Sequence, residues 1–409
     1  MTLTSQEVAS PETQLTDLPD LPGQPDLLDL PGRVAAVAAV AAEHAARTDQ
    51  EASFPLEALT ELRRTRLLGL LVPREYGGLG GTVADLVEAS IALGRADTSV
   101  AMIFAMHCQQ TEAVVRHGSA RLRAELLPRI AAGQVYLASV TTEAGKGGHL
   151  LTSQASLATA GDDLVMDRFA PIVTGGGHAD GFLVTMRAPG ATSPSQVSLV
   201  YADRAQLDIQ PSGVWQPLGM RASHSGALRL TGTVPAHHVI GEHGQFHTIA
   251  STVFGPLAHL GWSACWLGTA AGALSRVLGL LRSPQGRGST DLTSELLLTR
   301  LSKVRQRLDI VHALLARTQQ TVLDSTDLSV PRVQLQLNAL KITAAELCHS
   351  AVDELVTAVG MRHGYLKGSP TRLEQALRDL RSAALNYSND RLHLADGRLA
   401  LLDPEVRFV

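Results

Sequence analysis

Two glycine-rich segments of this chain could bring the backbone close to a bound ligand. Residues 71–81 read LVPREYGGLGG, which indicates the end of a helix, a proline stop and a tight turn. Residues 139–148 read SVTTEAGKGG. The hydroxyl and glycine residues of this second segment are Thr141, Thr142, Gly147 and Gly148. Since most glycine-rich turns only supply positive φ angles, the prediction of a site depends on the order and spacing of further motifs.

Other residue types that often carry chemistry do not form a recognisable motif. His237 and His238 are predicted at adjacent strand positions that face opposite ways, so they cannot easily chelate one metal ion. Ser223 and Ser225 flank His224, but the GxSxG elbow of serine hydrolases is absent. The three cysteines have no CxxC spacing, so neither a disulfide framework nor a zinc site is expected. The sequence therefore predicts no metal site.

The composition is that of a weakly charged globular protein. The chain has 409 residues, of which 45% are hydrophobic and 18% charged, and its net charge is -4. This balance gives no electrostatic reason to expect a nucleic acid or an anionic membrane as partner. The cysteine usage fits a reducing, cytoplasmic setting. No apolar run reaches the roughly 18 to 20 residues that a membrane span needs.

Three segments with different patterns of apolar residues follow a polar leader. Residues 1–32 carry five Pro and six Asp or Glu with little periodicity, and are predicted to be a mobile leader. Residues 33–133 have helical periodicity, residues 134–243 have the short alternating runs of a β domain, and residues 244–409 are helical again. Long amphipathic helices are predicted at 293–323, 330–359 and 370–384.

From residue 53 to residue 381 the chain resembles the acyl-CoA dehydrogenase family. The resemblance implies an α+β multidomain fold with an N-terminal helical domain, a middle β domain and a C-terminal helical bundle, and it implies FAD as cofactor. In the family, a Thr hydroxyl and backbone N–H groups hold the polar edge of the flavin ring. Thr142 matches that Thr, and Thr174 in PIVTGGGHAD matches a second one. The same resemblance places Thr141, Gly147 and Gly148 beside the cofactor.

Two later motifs resemble the end of the family's β domain and its adenosine-binding turn. Residues 215–241 contain GMRASHS and end in VPAHHVIG, like the family's last β-domain strands. Residues 360–370, GMRHGYLKGSP, imply contacts of Gly360 and Gly364 with FAD across a subunit interface. Arg282 matches an Arg that contacts the FAD of a partner subunit, but the Phe that follows it in the family is lost in RSPQG. This loss predicts a weakly held, exchangeable flavin, as two-component monooxygenases use.

The catalytic base of the family has no counterpart at its usual positions. A dehydrogenase of this family needs a carboxylate to remove the proton α to the thioester carbonyl while hydride leaves for flavin N5. The two positions where the family places that Glu correspond here to Tyr387 and Ala258. The candidates to replace the carboxylate are His107, His259, Tyr387 and Asp390. Histidine titrates in the useful range, although a lone His in an apolar helix is more often a buried structural residue.

Three functions remain open at this point. The first is oxidation of an acyl thioester, on CoA or on an acyl or peptidyl carrier protein, with an unusual base and an electron-transfer partner. The second is a flavin-dependent oxygenase or oxidase that takes reduced flavin from a reductase and acts on a small or tethered substrate. The third is a scaffold that binds flavin without turnover. The apolar faces of the C-terminal helices predict a homo-oligomer, either a dimer or a tetramer.

Overall fold

The computed structural model describes residues 29–145, 150–284, 286 and 291–408. Positions 1–28 of the predicted leader lie outside these residues, and the first helix begins within the rest of it, at Leu30. Asp29 starts this helix because its side chain accepts a hydrogen bond from the Gly32 N–H at 2.9 Å. Helices, strands and helices then follow in the predicted order, which confirms the α+β architecture.

Five α-helices make up the described N-terminal region. They are α1 (Leu30–Glu51), α2 (Leu56–Arg64), α3 (Val83–Ala96), α4 (Thr98–His117) and α5 (Ala120–Ala131). Thr82 and Asp85 form a capping box at the start of α3, and Asp97 caps α4 by accepting the Val100 N–H. Most side chains of α4 are buried, so this helix lies in the interior and carries His107 there.

The glycine-rich turn at 71–81 folds back on its own chain. The Gly80 N–H donates to the Val72 carbonyl at 2.9 Å. A Cβ at Gly78 would lie 2.1 Å from the Val72 oxygen, so no larger residue fits at that position. Close backbone packing therefore explains these glycines without a ligand.

Two four-stranded sheets form the middle region. Their strands are β1 (Leu137–Val140), β2 (Ala158–Ala160), β3 (Asp163–Ala170), β4 (Gly181–Arg187), β5 (Val197–Asp203), β6 (Leu207–Ser212), β7 (Ala227–Pro235) and β8 (Val239–Ile240). One sheet has the order β1-β4-β5-β8 and the other β2-β3-β7-β6. Strand β1 runs parallel to β4, and β3 lies antiparallel to β7. Strand β3 alternates exposed and buried residues, as expected of a strand with one face on a core.

One local prediction in this region is wrong. The sequence predicts strand positions for His237 and His238, but both lie in a one-turn 3-10 helix, Ala236–His238, directly after β7. In a strand, successive side chains point to opposite faces. In a 3-10 helix the side-chain direction turns by about 120° per residue, so two neighbouring side chains can face the same partner. The two imidazole ring centroids are 4.7 Å apart.

The C-terminal region is a helical bundle built around one central helix. Its helices are α6 (Phe246–Ile249), α7 (Gly255–Arg282), α8 (Glu295–Asp324), α9 (Pro331–Gly360), α10 (Leu373–Arg381) and α11 (Asn389–Ala400). A π-helical turn, Ala250–Phe254, joins α6 to α7, which packs against α3, α4 and α9. The helix predicted at 370–384 is shorter because Arg372, with φ +49°, has the left-handed backbone conformation.

The central helix is also the one segment among the described residues that passes a simple test for a membrane span. Phe246–Arg282 has 37 residues and contains an 18-residue window of mean hydropathy 1.4. Polar residues such as His259, Ser263 and Arg276 interrupt this segment, so it is not a continuous apolar run and does not contradict the prediction. In addition, 61% of the window is buried inside the protein, as in the core helix of many soluble proteins, so the test gives only weak support for membrane insertion.

A polar network joins the three regions at the end of α1. Arg378 in α10 donates to both carboxylate oxygens of Asp49, at 3.0 and 2.6 Å. Arg221 donates to the Asp49 carbonyl at 2.7 Å. The Asp379 carboxylate accepts the Met220 N–H at 2.7 Å. Two of the motifs found in the sequence thus meet here and hold the bundle against the β domain and α1.

Candidate active site

Two of the predicted catalytic residues, His259 and Tyr387, lie together in this structure. Ala258 and His259 are near the start of α7, whereas Tyr387 lies between α10 and α11. The ring centroids of His259 and Tyr387 are 6.2 Å apart, and their planes meet at 85°. The structure therefore brings two of the predicted candidate residues together, and neither Tyr387 nor Ala258 supplies a carboxylate.

Tyr387 holds an unfavourable backbone conformation at this site. Its φ is +49°, in the left-handed region that side chains other than Gly rarely adopt. The ring is half-buried and lies 5.5 Å from the Trp262 ring, centroid to centroid. Such strain persists where the surrounding packing enforces it, and it is concentrated at functional sites.

One face of α7 carries three buried polar atoms that have no hydrogen-bond partner within the described part of the chain. They are His259 Nδ1, Ser263 Oγ and Trp266 Nε1. Because these residues are four and three positions apart, their side chains lie on the same face of the helix. An unpaired buried polar group costs about 1–3 kcal/mol. This face is therefore where a bound molecule or water would supply the missing hydrogen bonds.

A buried lysine lies against the same face. Lys341 in α9 is fully buried, and its Nζ donates to Asn389 Oδ1 at 2.7 Å and to the Tyr387 carbonyl at 3.3 Å. The same nitrogen is 5.8 Å from the centre of the Trp266 ring. The site thus combines an ammonium group with aromatic side chains.

Lys341 was not predicted from the sequence, and the predicted candidate beside Tyr387 is not the residue that contacts it. Lys341 is the only charged residue between Arg332 and Glu346, and this isolated charge in an apolar stretch was the available signal. Asp390, predicted as a candidate base, is exposed at the start of α11. Its buried neighbour Asn389 is the residue that accepts the hydrogen bond from Lys341.

Burial determines the charges of the site. The pKa of His259 is lowered to about 4, mainly by burial and also by the nearby Lys341 ammonium, while the hydrogen bond to the Leu337 backbone opposes the shift. Burial also lowers the pKa of Lys341 to about 8, which the Glu346 carboxylate opposes. The pKa of Tyr387 is raised by burial, so the phenol stays protonated. At neutral pH the site therefore presents a neutral imidazole beside an ammonium.

His107 has a structural role rather than the predicted role as a base. Its Nδ1 accepts the Leu137 N–H at 3.0 Å, and its Nε2 lies 2.9 Å from the Leu68 carbonyl. Since a carbonyl only accepts, Nε2 carries the proton, and both ring nitrogens are used by the backbone. Burial lowers the pKa of His107 to about 4. The residue connects α4 to β1 and leaves no nitrogen for a substrate.

The two threonines predicted to contact a flavin lie on neighbouring segments of the β domain. Thr142 Oγ1 donates to the Ile172 carbonyl at 2.8 Å and accepts the Ile172 N–H at 3.3 Å. Ser225 Oγ donates to Thr174 Oγ1 at 3.1 Å. The side chain of Ile172, whose backbone is bonded to Thr142, is 50% exposed. A flavin ring needs an apolar surface with polar groups along one edge, so the residues present fit that cofactor.

The other predicted flavin contacts in the second glycine-rich segment, residues 139–148, have less structural support. Thr141 directly follows β1 and is half-buried, whereas Gly147 and Gly148 lie outside the described residues. Glu143 has a structural role, because it forms an ion pair with the fully buried Arg168 at 2.9 Å. That pairing neutralises both charges in the core of the β domain.

The predicted contacts with the far end of FAD lie at the ends of two helices. Arg282 ends α7 and is exposed. Gly360 ends α9 with φ +68°, and a Cβ there would meet nothing within 4 Å. At Gly364 a Cβ would lie 2.6 Å from the Val356 carbonyl oxygen. Gly364 is therefore required for packing. Gly360 has free space beside it, and Arg282 faces solvent.

Comparison with known proteins assigns the family. Residues 33–134 match the N-terminal domain of acyl-CoA dehydrogenase, and residues 257–386 match its C-terminal domain. The chain therefore belongs to the acyl-CoA dehydrogenase family, as its motifs predicted. The probable acyl-CoA dehydrogenase fadE25 of Mycobacterium leprae is 27% identical over 370 residues, which cover 88% of this chain and 90% of that protein.

Solved structures of the same fold include two kinds of enzyme. Dibenzothiophene monooxygenase (TdsC) from Paenibacillus sp. A11-2 superposes with a TM-score of 0.79 at 19% identity, covering 92% of this chain and 98% of that one. Its complex with FMN and indole reaches 0.82 at 20% identity, covering 93% and 98%. Butyryl-CoA dehydrogenase from Megasphaera elsdenii gives 0.79 at 17% identity, covering 92% and 99%. The fold alone therefore does not select a reaction, and the residues of the site must.

Proposed function

We propose that this protein is a flavin-dependent oxidoreductase that uses reduced FAD and O2, as a monooxygenase or oxidase. One observation carries the proposal. His259 and Lys341 both lie against Tyr387, which is one of the two positions predicted to correspond to the family's catalytic Glu and which carries no carboxylate. A neutral imidazole and an ammonium suit the stabilisation of electron-rich oxygen better than the removal of a weakly acidic C–H proton.

Among the described residues, the site lacks a strong base for thioester dehydrogenation. A base must reach the α proton within about 2.6–3.2 Å or through one water. His259 Nδ1 is the available basic atom, but a pKa of about 4 makes it a weak base. Lys341, with a pKa of about 8, is mostly protonated at neutral pH. We therefore expect α-proton removal to be slow in the unmodified protein.

The side chains suit a substrate with a planar apolar body and a polar group. Trp262 and Trp266 lie on one helix with ring centroids 6.4 Å apart, and Tyr387 packs against Trp262. Ser263 Oγ can donate or accept a hydrogen bond. The Lys341 ammonium would favour developing negative charge on a substrate or oxygen atom.

The cofactor and partners follow from the same proposal. Bound flavin would supply the electrons that reduce O2. Thr142 and Thr174 would hold the ring edge, with Gly360 and Gly364 at the adenosine end and Arg282 reaching a second subunit. The loss of the family's Phe after Arg282 supports an exchangeable flavin, delivered reduced by a separate reductase. We propose a cytoplasmic homo-oligomer, dimer or tetramer.

Oxidation of an acyl thioester is the second candidate, and one observation favours it. His259 Nδ1 is buried and has no partner among the described residues, so it could accept a proton from a bound substrate. In that case the substrate would be carried by CoA or by an acyl or peptidyl carrier protein, and an electron-transfer partner would reoxidise the flavin.

An oxygen-transfer assay tests the proposal. The purified protein is supplied with FAD, NADH, a flavin reductase and O2, together with a panel of small aromatic and heteroaromatic compounds. We expect substrate-dependent O2 consumption and a product heavier by one oxygen atom, and a lower rate in His259→Ala but not in the exposed control His247→Ala. Activity with acyl thioesters instead would support the second candidate. If neither the aromatic compounds nor the acyl thioesters react, the result would favour the third function, a scaffold that binds flavin without turnover.

A further inference from the structure

Three potential metal ligands meet where α5 touches the β domain, and the proposed redox reaction does not use them. Glu125 lies on α5, and His237 and His238 lie in the 3-10 turn that follows β7. The two segments are far apart in the chain, and the Ser119 hydroxyl joins them by donating to the His237 carbonyl at 3.3 Å. We propose that Glu125, His237 and His238 form a binding site for a divalent transition-metal ion such as Zn2+.

The distances between the ligand atoms suit a small tetrahedral ion. Glu125 Oε2 lies 2.9 Å from His237 Nε2 and 3.9 Å from His238 Nε2. One ligand atom from each residue lies within 4.8 Å of the others. Zn–N and Zn–O bonds of about 2.0–2.1 Å place neighbouring tetrahedral ligands about 3.3 Å apart. The observed separations lie on both sides of this value, so small side-chain rotations would complete the geometry.

The hydrogen bonds around His238 direct the correct nitrogen to the ion. His238 Nδ1 lies 3.2 Å from the Tyr201 carbonyl, which only accepts, so Nδ1 carries the hydrogen. The lone pair of Nε2 is therefore directed away from that carbonyl, on the side of Glu125. Metal-bound histidines normally donate their other N–H to a carbonyl or carboxylate in this way. The buried His238 is thus already held in the tautomer that a metal needs.

Glu125 has one oxygen available for an ion. Its Oε1 accepts a hydrogen bond from Arg121 Nε at 2.9 Å, and Oε2 faces the histidines. The Arg121 charge opposes a bound cation. However, the Arg121 side chain is 69% exposed, so water screens its charge and the side chain can rotate away from the ion. Two imidazole ligands and one carboxylate favour an ion that prefers imidazole nitrogen. We therefore expect the site to bind Zn2+ in preference to Mg2+.

The site is open on one side. The Glu125 side chain is 46% exposed and the His237 side chain 21% exposed, whereas that of His238 is 8% exposed. A cleft of about 200 Å³ lies beside them and is lined by Tyr201 and Arg129 among others. Three protein ligands with an accessible fourth position would leave room for water or for a small anion. Because α5 and the β domain each contribute, a bound ion would also link the two.

Metal titration of the full chain tests this site. Protein freed of metal with a chelator is titrated with ZnCl2 by calorimetry, and with CoCl2 while the visible absorption of Co2+ is recorded. We expect one ion per chain, and a rise in melting temperature with Zn2+. The variants His237→Ala and Glu125→Gln should each weaken binding by at least about tenfold. His247→Ala, an exposed histidine outside the cluster, should leave it unchanged.

The outcomes separate a metal site from an ion pair between His237 and Glu125. Equal Zn2+ affinity in the unmodified protein, His237→Ala and Glu125→Gln would overturn the proposal, as would absent binding at 100-fold excess of Zn2+. Displacement of Co2+ by millimolar Mg2+ would also contradict it, because Mg2+ prefers oxygen ligands. Circular dichroism confirms that each variant is folded, and Glu125→Gln keeps the shape of the side chain it replaces.

Discussion

The His259 and Tyr387 rings meet edge to face, with centroids 6.2 Å apart and planes at 85°. His259 belongs to the start of α7 and Tyr387 to the segment before α11, so this contact joins two distant parts of the chain. Ala258 precedes His259 on α7, so the two positions predicted to correspond to the family's catalytic Glu lie close together in space. We expect a carboxylate introduced at Tyr387 to reach a substrate bound beside His259.

Restoring a carboxylate at this site should create or raise thioester dehydrogenase activity. Tyr387→Glu replaces a half-buried side chain near the Lys341 ammonium, which would stabilise the carboxylate. Ala258→Glu is expected to be tolerated less well, because Ala258 is 2% exposed and overpacking costs about 1–3 kcal/mol. Anaerobic flavin reduction by a panel of acyl-CoA compounds measures the effect. If both variants fold and bind flavin yet gain no activity, the correspondence of these positions is wrong.

Removing the buried ammonium should raise the pKa of His259. Burial is the main cause of the low pKa of about 4, and the Lys341 charge adds to it. In Lys341→Met, burial and the Leu337 hydrogen bond remain but the nearby charge is gone, so the pKa of His259 moves toward the ordinary value of about 6.5. NMR titration of the imidazole signals measures the shift, and Lys303→Met, at an exposed position, is the control. An unchanged His259 pKa in Lys341→Met would show that the two groups do not interact.

Stability should fall as the pH is lowered from about 6.5 to about 4. Burial lowers the pKa values of both His107 and His259 to about 4 in the folded protein, whereas an unfolded chain has about 6.5. Between these values the unfolded state binds more protons, so the free energy of unfolding decreases with decreasing pH and is unaffected by these groups above about 6.5. Urea unfolding at pH 7, 6 and 5 tests this. The fall should be smaller in His259→Gln, and an equal fall in both proteins would exclude His259 as a contributor.

His107→Ala should destabilise the fold. The substitution leaves the Leu137 N–H and the Leu68 carbonyl without their partners, at about 1–3 kcal/mol each, and adds a cavity. The total loss should be about 3–5 kcal/mol in the free energy of unfolding, while activity per folded molecule is retained. The exposed His312→Ala serves as control. A variant of normal stability that has lost activity would instead make His107 catalytic.

The order of the three regions could be predicted from the sequence because it depends on local periodicity. The helix predicted at 293–323 is found at Glu295–Asp324, and that predicted at 330–359 is found at Pro331–Gly360. The spacing of apolar residues is set by the sequence of the segment itself, so it predicts the helix without knowledge of the elements that pack against it. The strand prediction for His237 and His238 failed because Pro235 ends β7 two residues early.

The site was less predictable, because its members are brought together by packing. His259 and Tyr387 were found as candidates through the family resemblance, but Lys341 comes from a third helix and has no motif around it. His107 was selected because its run FAMHCQQ resembles a pocket-lining helix of the family, whereas both of its ring nitrogens are bonded to backbone groups of other segments. A sequence pattern does not contain such partners, so it cannot separate a structural histidine from a catalytic one.

Anaerobic mixing of the FAD-loaded protein with acyl thioesters tests the central claim most directly. The claim is that the site formed by His259, Tyr387 and Lys341 lacks a base strong enough for α-proton removal. We predict that the flavin absorbance stays unchanged with CoA thioesters and carrier-protein thioesters alike, while the separately reduced flavin is reoxidised by O2. Rapid bleaching of the flavin by any simple acyl thioester in the unmodified protein would contradict the account.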